Sequence, residues 1–149
     1  MQADILSHGR DVLARQPFSV LLDVQLDHFA PGSAQLSLPM APKLLQQHGF
    51  VHGGVLSYLA DNALTFAGGS VLGDSVTVEF KINYLRPAQR GERLLAVAGV
   101  VGHGKSQAVC RCDIFVLCGD ERLLCAAAQG TIRKAGAAAG VAPPAATSA

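Results

Sequence analysis

The chain has 149 residues, a length that suits one domain, and half of its residues are hydrophobic while only 15% are charged. Its formal net charge is +1 and no run of Lys or Arg occurs anywhere, which excludes the basic stripe that nucleic-acid binding needs. So few charges leave an apolar surface of the kind that subunits bury against each other, and self-association is expected.

Residues 1–17 read as a peripheral N-terminal helix, with Ile5, Val12 and Leu13 as its apolar contacts and Pro17 as its end. The opening residues lack a cationic segment followed by an apolar stretch, and no run approaches the roughly 18 apolar residues of a membrane span. A soluble, cytoplasmic protein without a membrane partner is therefore expected. Residues 18–134 read as the main domain. Leu21 to Phe29 and Ala34 to Leu38 form a hairpin about Pro31-Gly32-Ser33.

From Val51 to about Ala67 apolar residues recur at helical spacing, and Gly68-Gly69 supplies a stop. A helix apolar on most of its circumference must be wrapped by other structure, and the chain after it is all strand. Ser75 to Leu85 alternates, with Val76, Val78, Phe80, Ile82 and Tyr84 on one face and Thr77, Glu79, Lys81 and Asn83 on the other. Further strands run from about Arg93 to Val101, Ser106 to Leu117 and Arg122 to Arg133. The order predicts an α+β fold, a long antiparallel sheet wrapped around one central helix. Residues 135–149 hold no large apolar side chain and are expected to be a disordered tail.

Cys110, Cys112, Cys118 and Cys125 lie in strand-like sequence without Cys-x-x-Cys pairs and read as buried small hydrophobes. The scattered His and Cys offer no metal-ligand set, so no metal is expected.

The densest cluster of unusual residues, Gln46-Gln47-His48-Gly49-Phe50-Val51-His52-Gly53-Gly54, stands at the start of the apolar helix. Glycine destabilises a helix by about 1 kcal/mol relative to alanine, so Gly53 and Gly54 suggest that something approaches the backbone closely there. A helix start offers unpaired N–H groups and a positive dipole end, which together polarise a carbonyl and stabilise an oxyanion. Asp61 is a carboxylate in the middle of an apolar helix, expensive to bury without a purpose. It could attack an acyl carbon or serve as base for a water; a structural role, satisfied by Asn62 or Thr65, is the competing reading. Eight residues of helix separate Asp61 from Gly53 by about 12 Å, so both can act on one acyl carbon only if a second chain supplies its Asp61. A two-fold dimer does this twice.

These residues carry a resemblance to the hotdog-fold thioesterases, the group that includes the phenylacetate-pathway and 4-hydroxybenzoyl-CoA thioesterases. It spans approximately Val20 to Arg133 and rests on Gln46, Gly49, His52-Gly53-Gly54 and Asp61 at matching spacing, with Asn83-Tyr84-Leu85-Arg86-Pro87 resembling the segment that ends the next strand. The resemblance implies a thioester hydrolase acting on an acyl-CoA, with no cofactor besides the coenzyme A of the substrate. It assigns the thioester carbonyl to the Gly53 N–H and an orienting role to His52 and Gln46, brings Asp61 from the partner chain as nucleophile or general base, and puts Thr65 where some members hold the hydrolytic water. Gly54, Asn62, Val78 and Tyr84 would complete the substrate-facing set, and Phe50, Leu56, Tyr58 and Phe80 would line the acyl pocket with Val78. The CoA phosphates would meet the turn His103-Gly104-Lys105-Ser106, or Arg86. An obligate homodimer, paired into a homotetramer, is implied as well. A hotdog hydratase or dehydratase and a non-catalytic acyl-CoA sensor are the alternatives; release of free thiol separates hydrolysis from both.

Overall fold

In a computed structural model, which describes residues 2–136, the chain folds as helices α1 (Gln2–Ala14) and α2 (Pro17–Leu21), strands β1 (Gln25–Ala30) and β2 (Ser33–Pro39), the long helix α3 (Gly53–Leu72), and strands β3 (Ser75–Tyr84), β4 (Arg93–His103), β5 (Gln107–Cys118) and β6 (Glu121–Lys134). The tail expected to be disordered falls, from residue 137 on, outside the described residues. The six strands form one antiparallel sheet in the order β1-β2-β4-β5-β6-β3.

The sheet curls around α3 because one face of each strand carries the apolar set. Leu36, Leu38, Leu94, Ile114 and Ile132 meet Leu59 and Leu64 of the helix in a fully buried core. Each such side chain contributes about 1.5–3 kcal/mol relative to exposure. Ala60, Ala63, Ala67 and Gly68, all buried, let the helix lie close to the strands. At Gly68 a Cβ would stand 2.7 Å from Ile132 Cβ, so this glycine marks a close approach of α3 and β6.

Three local features differ from the sequence reading. Pro17 does not only end the first helix. It opens a second one, because its fixed φ and missing N–H suit the first helical turn; Leu21 is therefore helical and 62% exposed, and the strand starts at Gln25. Gly68-Gly69 does not stop α3, since Gly68 is used for packing; the helix runs on to Leu72 and is closed by Gly73 at φ 87°. Cys118 is exposed at the β5–β6 turn, whereas Cys110, Cys112 and Cys125 are buried as expected.

The fourth difference matters for the site. The alternation of β3 is broken by a bulge between Thr77, paired with Ile132, and Glu79, paired with Thr131. The extra residue, Val78, switches the faces, so Thr77 shares the helix side with Phe80 and Ile82 while Val76 and Val78 are left 45% and 48% exposed. Gly130 of β6 permits this, because a Cβ there would come within 2.5 Å of the Glu79 carbonyl oxygen. β3 is an edge strand of the sheet.

Candidate active site

The segment leading into α3 is tied down at nearly every residue. Gln46 donates its N–H to Phe50 O at 2.8 Å, and Gly49, at φ 82°, returns its own to Gln46 O at 3.0 Å. The Gln46 side-chain oxygen accepts from the His48 N–H. Val51 donates to Ala88 O at 2.9 Å and His52 to Leu44 O at 2.8 Å. The start of α3 is thus fixed from both sides.

In the first turn, His52 is the N-cap and its Nδ1 accepts the Gly54 N–H at 2.8 Å; the ring proton of the neutral tautomer then sits on Nε2. His52 O accepts from Val55 N–H at 2.9 Å, and the Tyr84 hydroxyl donates to Gly53 O at 3.0 Å. The Gly53 N–H has no acceptor among the described residues. It lies at the positive end of a twenty-residue helix. A Cβ at Gly53 would come within 3.2 Å of Tyr84 Cζ, and one at Gly54 within 3.0 Å of His52 Nδ1. At both glycines a side chain would press on a close neighbour. Gln46, Phe50, Gly53, Leu56, Tyr84 and Arg86 line a cleft of about 310 Å³ at this helix end. A larger hollow of about 470 Å³, lined by Arg10, Asp23 and Asp27, lies beside α1 and β1, away from Gly53.

Asp61 is half-buried and does have a partner, on β3 rather than on its own helix. Thr77 Oγ1 donates to Asp61 Oδ1 at 2.6 Å. Thr65 Oγ1 stands 2.8 Å from both the Asp61 carbonyl oxygen and Thr77 Oγ1, so its one proton serves one of them at a time. Asn62, the other candidate cap, points elsewhere: its Nδ2 donates to Gln16 Oε1 at 3.0 Å, Tyr58 Oη at 3.0 Å and Ser19 Oγ at 3.3 Å. This cluster docks α2 on α3, with the Phe18 ring edge-on to Tyr58 at 4.9 Å. Burial pushes the Tyr58 phenol up, against the bonds from Ser19 and Asn62 that lower it, and the Asp61 charge adds to the rise. Tyr58 is thereby a neutral hydrogen-bonding anchor between α2 and α3.

Of the residues expected to face substrate, the structure brings Gln46, Gly53, Tyr84 and Arg86 to one cleft and holds His52 and Gly54 beside it. Asp61 and Thr65 lie farther along the same helix, with Asp61 about 12 Å from Gly53 at 1.5 Å per residue. Val78 sits in the bulge, exposed. The exposed turn His103 to Ser106 is closed by the Gly104 N–H on Gln107 O at 2.9 Å. Ser106 O accepts from Lys134, which pairs with Ser75, so this turn is at the first end of β3. Gly53 stands at the last end, beside Tyr84. Nine strand residues separate the two by about 30 Å, so within one chain the turn does not reach the cleft.

Thr77 was not singled out by the sequence. Strict alternation assigns it to the solvent face with Glu79 and Lys81, and only the bulge turns it inward. The available signal was Gly130, a glycine in the interior of a strand, which marks a bulge or a close backbone approach.

Comparison with known proteins agrees with this fold. The model of the thioesterase superfamily matches residues 48–122, a span that holds the helix start, Asp61 and Thr77. The crystal structure of a thioesterase family protein from Silicibacter pomeroyi superposes with a TM-score of 0.79 at 35% identity, covering 83% of this chain and 93% of that one. Acyl-coenzyme A thioesterase 13 of Homo sapiens is 30% identical over 106 residues, 68% of this chain and 74% of the relative. Acyl-coenzyme A thioesterase PaaI of Escherichia coli is 32% identical over 88 residues, 59% of this chain and 63% of the relative. The chain belongs to the thioesterase superfamily and has its hotdog fold.

Proposed function

We propose that the protein hydrolyses a medium-chain or aromatic acyl-CoA to the free acid and CoA, at a site shared by two copies of the chain. The observation that carries this reading is the Gly53 N–H: it has no acceptor among the described residues, stands at a helix N-terminus, and belongs to a residue that lines a cleft with Phe50, Leu56, Gln46 and Arg86. Such a donor stabilises the oxyanion formed when a thioester carbonyl is attacked. Asp61 supplies the attack, either as base taking a proton from water while the water oxygen bonds to the acyl carbon, or as nucleophile through an acyl anhydride that water then opens. In either case the C–S bond breaks and the CoA thiolate takes up a proton. The names of the human and Escherichia coli relatives support acyl-CoA as the substrate class.

The second chain is required by the separation of Gly53 and Asp61. β3 has an open edge with exposed Val76 and Val78, and an antiparallel pairing of two β3 edges about a two-fold axis sets the Thr77 end of one strand beside the Tyr84 end of the other. The partner's Thr77 carries the partner's Asp61 with it. The same pairing carries the partner's His103–Ser106 turn toward the cleft mouth, where Lys105 and backbone N–H groups suit CoA phosphates.

Thiol release from short, medium, phenylacetyl and benzoyl CoA esters tests the reading, with Asp61→Ala compared at equal folded concentration. Wild-type hydrolysis and a loss of at least about 100-fold in the variant are expected. Full activity in Asp61→Ala overturns the mechanism, and a wild type that binds these esters without releasing thiol overturns the activity.

A further inference from the structure

Tyr84 makes a contact that the reaction as described does not use. Its hydroxyl donates to Gly53 O at 3.0 Å, and its ring stands so near that a Cβ on Gly53 would meet Cζ at 3.2 Å. A carbonyl in the first helical turn has a partner within the helix already, so this second donor is not needed to satisfy it. The groups around the Gly53 N–H are held by two bonds of the helix start itself and by one from β3. Val55 holds the carbonyl of the peptide that carries that N–H, at 2.9 Å, His52 Nδ1 holds the next N–H at 2.8 Å, and the tyrosine from β3 holds the carbonyl of Gly53 itself. Glycine has the widest backbone freedom of any residue, and two in succession at a helix start would let the peptide rock. An oxyanion donor acts well only when its direction is set before the charge develops.

We propose that Tyr84 is a positioning residue for the hydrolysis: by holding the carbonyl of the Gly53–Gly54 peptide it fixes the Gly53 backbone, and through the shared Gly53 Cα restrains the preceding peptide, whose N–H is the proposed oxyanion donor. The proposal rests on the function given above. Tyr84 then contributes to the rate through Gly53 rather than by gripping substrate, although its ring also lines the cleft. It also gives glycine at position 53 a use, since a Cβ there would stand 3.2 Å from Tyr84 Cζ and press on the ring. As the last residue of the edge strand, Tyr84 also ties the donor to the strand on which two chains meet.

The test compares wild type with Tyr84→Phe, which keeps the ring and loses only the hydroxyl. Steady-state thiol release is measured on the best ester of the panel, and the Gly53 and Gly54 amide resonances are followed in the ¹⁵N-labelled protein without substrate. A fall in kcat of about fivefold to tenfold, the weight of one net hydrogen bond, is expected. KM should stay within about twofold, and the two amide resonances should move while those of the β4–β5 core stay in place. An unchanged kcat overturns the proposal, and so does a rise in KM at constant kcat, which makes Tyr84 a substrate contact. Unmoved Gly53 and Gly54 resonances overturn it too. A wild type inactive on the whole panel is a different failure: it removes the thioesterase reading and the proposal with it.

Discussion

Thr77 Oγ1 donates to Asp61 Oδ1 at 2.6 Å, a bond between the second residue after a strand start and the middle of the helix that the strand wraps. It fixes the carboxylate on the side of α3 that faces the edge strand. Thr77→Val keeps the shape and removes the proton donor, so the carboxylate loses both direction and a charge-assisted bond. A loss of about tenfold in kcat/KM is expected, with Thr77→Ser staying near wild type. Equal rates for all three proteins would show that the bond only satisfies Asp61.

The open edge of β3 predicts what breaks the assembly. In a two-fold pairing each introduced charge meets its own copy or that copy's neighbours, and like charges opposed across strands are destabilising. Val78→Asp should shift the protein toward monomer in sedimentation velocity and lower thiol release in parallel, while the circular dichroism of the sheet is retained. A monomer with full activity rules out the shared site.

Gly68 tests the helix-to-sheet contact apart from chemistry. A methyl group there would stand 2.7 Å from Ile132 Cβ and Cγ2, and overpacking of this kind costs about 1–3 kcal/mol. Gly68→Ala should lower the urea midpoint accordingly, and the same substitution should cost less in an Ile132→Ala background, where the clashing atoms are gone.

Burial pushes the thiols of Cys110 and Cys125 up to about 11 and that of Cys112 up to about 12, whereas an unfolded thiol ionises near about pH 8.5. Above about pH 8.5 the unfolded chain gives up protons that the folded chain keeps. The thiol contribution to stability is therefore complete below that pH and is lost progressively toward about pH 11. Urea midpoints should be level from about pH 6 to 8 and lower at about pH 10, with a shallower decline in Cys112→Ala. The same slope in wild type and variant removes this thiol as a cause.

The layers of this fold were legible because periodicity reports burial directly. An apolar helix and four long strands could only wrap one another, and the spacing from Gln46 to Asp61 marked the helix start. What periodicity hides is a change of phase. The bulge at Val78 moved Thr77 to the inner face, and nothing in residues 75–84 taken alone distinguishes Thr77 from Glu79. The second helix escaped for a related reason, since Pro17 is equally a stop and a first residue. That Asn62 does not cap Asp61 was hidden because two of its three acceptors, Gln16 and Ser19, are more than forty positions away in the chain.

The spacing of Gly53 and Asp61 along one rigid helix has a genetic consequence. On the proposed two-chain site, a variant lacking the carboxylate and a variant with a bulky residue at 53 are each dead alone, yet they are not equivalent losses. When the two chains assort at random, half of the dimers are mixed, and each mixed dimer holds one site with an intact Gly53 and an intact Asp61. Two silent alleles expressed together should therefore complement to about a quarter of the wild-type rate, whereas two different lesions at Asp61 never should.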